Sequence, residues 1–310
     1  MASLFVAAPE LKLICPACGL DAGCLVAPLA CSKCGFRMEI SNAILRAIPR
    51  ERAQHFAQFQ REYAAVRHGE GRGSGDSAYY LNLPFADTTG RNSNQWKMRA
   101  ATYRYFSSHI LPDTPLDILD LGAGAGWLSY RLAAWGHRPA AIDIFDDALD
   151  GLGAAWRYAE RLAQPFPAIQ AEFDALPLAS GQFDMAVFNA SFHYSTDYAR
   201  TLCEVRRCLR PSGRIVILDS PVYRRAEHGE RMREERHQQF QRQYGFRSDS
   251  IGSIEYLDEP ALEALARELG IHWRIHRPWY GWKWHMRPWS ARLRRRRPPS
   301  RFWILEGSFQ

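Results

Sequence analysis

The 310-residue sequence predicts an α/β protein, with helices on both faces of a mainly parallel sheet and a small cysteine-rich module in front. Three observations carry this reading. Residues 116–121 (Leu-Asp-Ile-Leu-Asp-Leu) run into a turn with Gly122, Gly124 and Gly126, then an apolar-periodic stretch to Trp135: a buried strand, a tight turn and a helix. Beyond it, short aliphatic runs alternate with helical periodicity, the rhythm of repeated strand–helix units. Ahead of it, five of the seven cysteines fall within the first 34 residues.

The glycine turn limits what can lie over it. Glycine accepts backbone angles closed to other residues and lets the main chain approach a ligand with no Cβ between them. The helix that follows begins with unpaired N–H groups. A dinucleotide fingerprint needs glycine at the position held by Trp127. Asp120, directly before the turn, would repel a pyrophosphate and suits an ammonium. A cofactor with an amino-acid tail and an adenosine but no phosphate meets both conditions, and S-adenosylmethionine is such a molecule.

From its beginning, the chain is long enough for one large domain plus a small one. Apolar residues make up 46% and charged residues 24%, as in ordinary globular proteins. Residues 1–10 carry no basic leader, and no later stretch approaches the roughly 18 apolar residues of a membrane span. The expectation is a soluble cytoplasmic protein. Cys15-Pro-Ala-Cys18-Gly and Cys31-Ser-Lys-Cys34-Gly are two knuckles with twelve residues between them. Two thiolates at that spacing converge on one ion, and two pairs complete a closed tetrahedral site, so residues 1–40 read as a structural zinc ribbon. A degenerate, metal-free ribbon is the alternative. Cys24 lies between the knuckles and is not expected to be a ligand; Cys203 and Cys208 fall in a helical pattern as apolar fillers.

Residues 41–76 read as a connection. Phe56, Phe59, Tyr63 and Val66 recur at three- and four-residue steps, a helical packing face, and residues 68–76 are glycine-rich and read as a flexible loop. The main domain, 77–310, begins with an aromatic stretch and a helix bearing Trp96, Arg99 and Tyr103. After the glycine turn, residues 139–144 form a second strand ending in Asp143, whose carboxylate can accept from both hydroxyls of a ribose. A helix is expected over 146–162, then Phe173-Asp174-Ala-Leu-Pro177 and a strand from Phe183 to Asn189. Another helix (198–209), a Pro-Ser-Gly turn into strand 215–220, a helix over 260–269 and strands over 272–280 and 302–309 complete the order.

With these motifs in this order, residues 115–222 resemble the class I S-adenosylmethionine-dependent methyltransferases with a type 11-like methyltransferase domain. The resemblance implies a seven-strand Rossmann-like α/β sandwich with its last strand antiparallel, here preceded by a small zinc-ribbon module. It implies that Asp120, Gly122, Gly124, Gly126, Asp143, Asp174 and Asn189 surround S-adenosylmethionine, with Asp174 at the adenine amino group. It implies further that Tyr79, Tyr80, Trp96 and Arg99 form a lid over the pocket, although each aromatic can equally pack a cap helix. By position His193 is the candidate base; a loop histidine bonded to backbone is the other reading, with Asn189 orienting the substrate instead. Tyr223, after the fifth strand, is a further candidate for the same pocket.

The basic balance is local. Residues 282–301 hold Lys283 and seven arginines with no acid; subtracting these eight from the net +7 leaves −1 for the remainder. Trp282, Trp284 and Trp289 are interleaved with them. Planar aromatics among cations suit an anionic membrane surface with the protein held peripherally, an RNA backbone or an acidic lipid-linked substrate; a solvated hairpin packed on the sheet is the bland reading. Three functions therefore stand. One is methyl transfer to a small-molecule or lipid-linked acceptor, and another is ribosomal-RNA methylation with the ribbon reading RNA. The third is cofactor binding without catalysis. The cofactor-side loops carry no basic run, which argues against nucleic-acid methylation; no Asn-Pro-Pro-Tyr or Asp-Pro-Pro-Tyr motif follows the fourth strand, which argues against adenine or cytosine amino groups but not against ring nitrogens.

Overall fold

The computed structural model of the protein describes residues 11–20, 25–26 and 29–310, so Cys24 and the first ten residues lie outside the described residues. Strands β1 (Leu25–Val26) and β2 (Ala30–Cys31) pair antiparallel. Strands β3 (Glu39–Ser41) and β4 (Ile44–Arg46) form a hairpin turned by Asn42 and Ala43 at φ 52° and 62°. Helices α1 (Arg50–Gly69), α2 (Ser77–Asn82) and α3 (Ser93–His109) lead into β5 (Asp117–Leu121), α4 (Trp127–Ala134) and β6 (Arg138–Asp143). Next come β7 (Ala168–Gln170), β8 (Phe183–Asn189), α5 (Tyr198–Cys208), β9 (Leu209–Leu218), β10 (Val222–Tyr223) and α6 (Ala226–Tyr244). The chain closes with β11 (Leu257–Asp258), α7 (Glu259–Leu269), β12 (Ile271–His276), α8 (Trp282–His285), α9 (Arg287–Leu293) and β13 (Ile304–Phe309).

The main sheet runs β12-β13-β9-β8-β5-β6-β7-β4-β3. The strands from β7 across to β9 are parallel, and β13 lies antiparallel between β9 and β12. These are the seven strands expected from the sequence. The β3–β4 hairpin adds two more at the far edge, with β4 parallel to β7, where a helical connection was expected.

Strand periodicity sorts the core into two layers. Leu119, Leu121, Ala186, Phe188, Ile215 and Ile217 point to the face covered by α5 and α7. Ile118, Met185, Val187 and Val216 point to the face covered by α2, α3 and α4. The cysteine module docks on the first face, where Leu13 bridges Leu178 and Ile14 N–H donates to the Pro177 carbonyl at 3.1 Å.

Two segments differ from expectation. Residues 146–151 are not helical; the Asp147 carboxylate accepts from the N–H groups of Leu149 (2.8 Å) and Asp150 (2.9 Å), and a 3-10 helix starts only at Leu152. A Cβ on Gly151 would lie 2.4 Å from the Asp147 nitrogen, so the chain folds back too tightly for a regular helix there. The glycine-rich loop is tied rather than free: the Tyr80 hydroxyl donates to Leu149 O (2.6 Å) and lies 2.8 Å from Ser74 O. No helix among the described residues is long and apolar enough to cross a membrane.

Candidate active site

Strand β5 has β6 on one side and β8 on the other, so the chain departs in opposite directions from their carboxyl ends and leaves a crevice there. A cavity of about 1540 Å³ opens at this point. Gly122 and Gly124 line it from the turn after β5, Asp143 from the end of β6, Asn189 from the end of β8 and Asp219 from just beyond β9.

The turn is shaped by close approach. Gly122 and Gly124 adopt φ 73° and 53°. A Cβ on Gly122 would stand 2.2 Å from the Ser191 Cβ, so no side chain fits there. At Gly124 the nearest neighbour would be the Asp150 carbonyl at 3.7 Å, which leaves that point of the backbone open to the cavity. Asp143 Oδ2 accepts from Gly124 N–H (2.8 Å) and Oδ1 from Phe145 N–H (2.9 Å). Burial nevertheless raises the Asp143 pKa to about 6, the backbone donors opposing it. Asp174 also lines the cavity; its Oδ1 accepts from the Thr201 hydroxyl at 2.6 Å, and burial raises its pKa.

Tyr79, Trp96, Arg99, His193 and Tyr223 line the same cavity. Three expected residues do not. Asp120 is fully buried on the face it shares with Ile118, beneath α4, where its Oδ2 accepts from the Ser129 hydroxyl at 2.7 Å. Its Oδ1 has no partner among the described residues, and burial pushes its pKa up to about 7. Gly126 precedes α4 at φ 76° and faces the Phe166 ring, 3.2 Å from where its Cβ would be. Tyr80 sits a third of a helical turn round from Tyr79 and points inward to the glycine-rich loop.

The family model described as "Methyltransferase domain" matches residues 119–217. The chain is 32% identical over 181 residues to the demethylmenaquinone methyltransferase of Thermus thermophilus, a match covering 55% of this chain and 77% of that protein. The chain belongs to the class I S-adenosylmethionine-dependent methyltransferases. It is also 27% identical over 132 residues to the malonyl-[acyl-carrier protein] O-methyltransferase of Erwinia pyrifoliae, covering 41% of this chain and about half, 48%, of that relative. Among solved structures it is similar to the Burkholderia thailandensis 1,6-didemethyltoxoflavin-N1-methyltransferase, at 16% identity and a TM-score of 0.49, over 85% of this chain and 93% of that one.

Sequence reasoning missed several parts of this methyltransferase's cavity. The aromatic stripe of α1 is part of its wall: Phe59 and Tyr63 stack at 5.6 Å, and Tyr63 meets Phe145 (5.1 Å) and Tyr194 (5.9 Å) edge-on. Two arginines fasten α1 across the crevice. Arg52 grips Glu172 through two nitrogens (3.0 and 2.7 Å), and Arg67 pairs with Asp150. The stripe was visible as a buried face; its partner was not. Asp219 is the second omission. It holds φ 49°, an unusual conformation for a non-glycine residue, with Oδ1 accepting from Thr102 Oγ1 at 2.6 Å and Oδ2 buried without a partner. Burial raises its pKa. His193 is 8% exposed, its Nδ1 is 3.3 Å from Ser220 Oγ, and burial drives its pKa down to about 3 with Arg236 and Arg99 acting in the same direction.

The Trp/Arg segment is helical, in α8 and α9, rather than a hairpin, and it folds back over the cavity. Trp284 packs between Tyr280 (5.3 Å) and Phe302 (5.4 Å), turning Lys283, Arg287 and residues 294–297 to the wall. The cavity mouth is therefore basic, unlike the expectation for the cofactor-side loops. Trp282 and Trp289 stay on the outside, 75% and 66% exposed.

At the other end of the chain, the sulfur atoms of Cys15, Cys18, Cys31 and Cys34 lie within 4.8 Å of one another. Each knuckle closes in the same way: Gly19 N–H donates to Cys15 O and Gly35 N–H to Cys31 O, both at 2.9 Å, with the glycines at positive φ.

Proposed function

We propose that this methyltransferase transfers a methyl group to a small-molecule or lipid-linked acceptor held in the cavity between the glycine turn and the α8–α9 segment. The observation that carries the reading is the cavity's mixed lining. The turn side has open backbone at Gly124 and carboxylates at Asp143 and Asp174, and the α8–α9 segment adds Trp284, Lys283, Arg287 and the arginines at 294–297 to the same cavity.

Bound S-adenosylmethionine would supply a methyl group already activated on a sulfonium, so the protein's main contribution is alignment, worth on the order of 7–11 kcal/mol. Gly124 would admit its amino-acid end, Gly122 letting Ser191 close up against the turn, while Asp143 would accept from its ribose hydroxyls and Asp174 would face its adenine. Asp120 supports the turn from below through Ser129. Tyr79, Trp96 and the α1 stripe exclude water, and Asn189 orients the acceptor. The proton leaving the acceptor has a better destination in Asp219 than in His193, because a base works best with a pKa near the working pH, and burial moves these two pKa values in opposite directions.

The four-cysteine cluster is read as a structural zinc site in a ribbon within residues 1–40; residues 41–76, expected as a connection to a catalytic domain at 77–310, are read as part of that domain, because β4 pairs with β7 and α1 lines the cavity. A tetrahedral ion with bonds of about 2.3 Å places its sulfurs about 3.8 Å apart. The pairs Cys15–Cys34 and Cys18–Cys31 stand at 3.5 and 3.6 Å. With every position taken by sulfur, such an ion would hold the fold and take no part in transfer.

The test is incubation with methyl-labelled S-adenosylmethionine and separated lipid, RNA and small-molecule extracts. Label in the lipid or small-molecule fraction is expected. Label in RNA alone moves the function to nucleic-acid methylation, and cofactor binding with no labelled fraction leaves a non-catalytic binding protein.

A further inference from the structure

The basic wall holds more cations than its acids neutralise. Of its cavity-lining residues, Arg297 pairs with Glu235, whereas Lys283, Arg287, Arg294, Arg295 and Arg296 form no salt bridge among the described residues. Arg287 is the most constrained of them. Its guanidinium lies over the Trp284 ring at 3.7 Å, which fixes the plane of its fork. Its Nη1 is buried and has no hydrogen-bond partner among the described residues. A buried cationic donor left unpaired is costly unless a ligand completes it. Arg297 stands beside it, with Nη1 donating to the Tyr223 hydroxyl at 3.1 Å.

The corner is linked to the proposed point of transfer. Trp284 packs on Tyr280, whose hydroxyl lies 2.9 Å from Thr102 Oγ1, and that oxygen donates to Asp219. Asp219, Trp284 and Arg287 all line the cavity, and Thr102 and Tyr280 tie Asp219 to Trp284 from behind it, so one molecule could reach from Asp219 to Arg287. We propose that Arg287, Arg297 and Tyr223, backed by Trp284, form a subsite for a phosphate or pyrophosphate group carried by the methyl acceptor. This rests on reading the cavity as the place of methyl transfer. A carboxylate needs one arginine fork; Arg287, with the unneutralised Lys283, Arg294, Arg295 and Arg296 on the same wall, matches the higher charge of a phosphoryl group, while Arg297, already paired with Glu235, adds a neighbouring donor. Burial lowers the Arg287 pKa, Tyr223 opposes this and Arg297 adds to it; the charge of an arriving anion would act against the lowering.

The experiment is calorimetry of inorganic pyrophosphate on the full chain, beside S-adenosylmethionine titrations of the same samples. The variants are Arg287→Gln, Arg287→Lys and Arg292→Gln, the last an exposed arginine outside the cavity wall. Removing a charge-assisted contact should weaken pyrophosphate binding about 10–100-fold in Arg287→Gln. Arg287→Lys should recover part of it, Arg292→Gln should change it by less than about two-fold, and cofactor affinity should hold in all three. A second arm sediments the protein with phosphatidic acid or phosphatidylcholine vesicles. Arg287-dependent, pyrophosphate-competed sedimentation with phosphatidic acid makes the source a lipid phosphate, and pyrophosphate binding without vesicle binding makes it a soluble one. Either result supports the subsite. Wild-type protein that binds cofactor but not pyrophosphate overturns it alone, whereas failure to bind cofactor overturns the reading on which it rests. Equal losses in Arg287→Gln and Arg292→Gln, or RNA binding that both reduce equally, would make the segment a general polyanion surface and also overturn it.

Discussion

Asp143 Oδ2 accepts a hydrogen bond from the Gly124 N–H at 2.8 Å, so the acid ending the second core strand is fastened to the crown of the glycine turn. The bond aligns two elements that the sequence separates by a whole helix. It also leaves Asp143 facing a cavity with its pKa raised to about 6 by burial.

The first prediction concerns cofactor affinity. Asp143→Ala should weaken S-adenosylmethionine binding by about 1–3 kcal/mol, the cost of lost charge-assisted hydrogen bonds. Ribose hydroxyls bond more strongly to an ionised acceptor, so wild-type affinity should fall as pH drops through about 6, and Asp143→Asn should flatten that dependence. Calorimetry between pH 5 and pH 8 checks both; a pH-independent wild-type affinity would remove Asp143 from the site.

The second concerns stability and Asp120. Its folded pKa is raised to about 7, against about 4 in an unfolded chain. Between those values the native state holds more protons, so stability should fall as pH rises from about 4 to about 7 and level off above. Asp143 adds a slope of the same sign, so the measurement is the wild type minus Asp120→Asn. Denaturant midpoints should favour the variant more at pH 8 than at pH 5, whatever its overall stability.

The difference between expectation and placement is physical. Features set by local geometry were legible in the sequence: the positive φ of the glycines, the acid at the end of β6 beside the turn and the clustering of the two cysteine knuckles. Asp120 was legible in kind but not in direction, because its place before a turn says less than strand alternation, which turns it under α4. What depended on a distant partner was hidden. The β3–β4 hairpin finds β7 far along the chain, the α1 stripe finds Phe145 and Tyr194, and Trp284 finds Phe302. Periodicity announces a face to be covered, not what covers it.

The third prediction addresses the cysteine cluster. Purified protein should carry about one zinc per chain, lost in Cys31→Ser and kept in Cys24→Ser. Leu13 and Ile14 couple the module to the loop around Pro177, just after Asp174. Chelation should therefore lower the thermal midpoint and loosen cofactor binding together. Metal content unchanged by Cys31→Ser would sink the ribbon.

The fourth separates Asp219 from His193 as proton acceptor. Both line the cavity, and burial acts on both. Burial disfavours the charged form of each, which makes an aspartate a stronger base and a histidine a weaker one. With its pKa down to about 3, the His193 imidazole stays neutral at pH 7 and holds an incoming proton poorly. Asp219 is pushed the other way, its Oδ1 anchored by Thr102 and its Oδ2 unpartnered. The strained backbone at φ 49° keeps the carboxylate beside the cavity. On the acceptor fraction that takes up label, Asp219→Asn should lower kcat by about 10²–10⁴, with cofactor affinity within about two-fold. His193→Gln should stay within about ten-fold of wild type, since it removes a neutral wall group. The pH profile gives a second check: wild-type kcat should rise as Asp219 ionises, and Asp219→Asn should lose that limb. A larger loss in His193→Gln, with the limb intact in Asp219→Asn, would return the proton to the histidine.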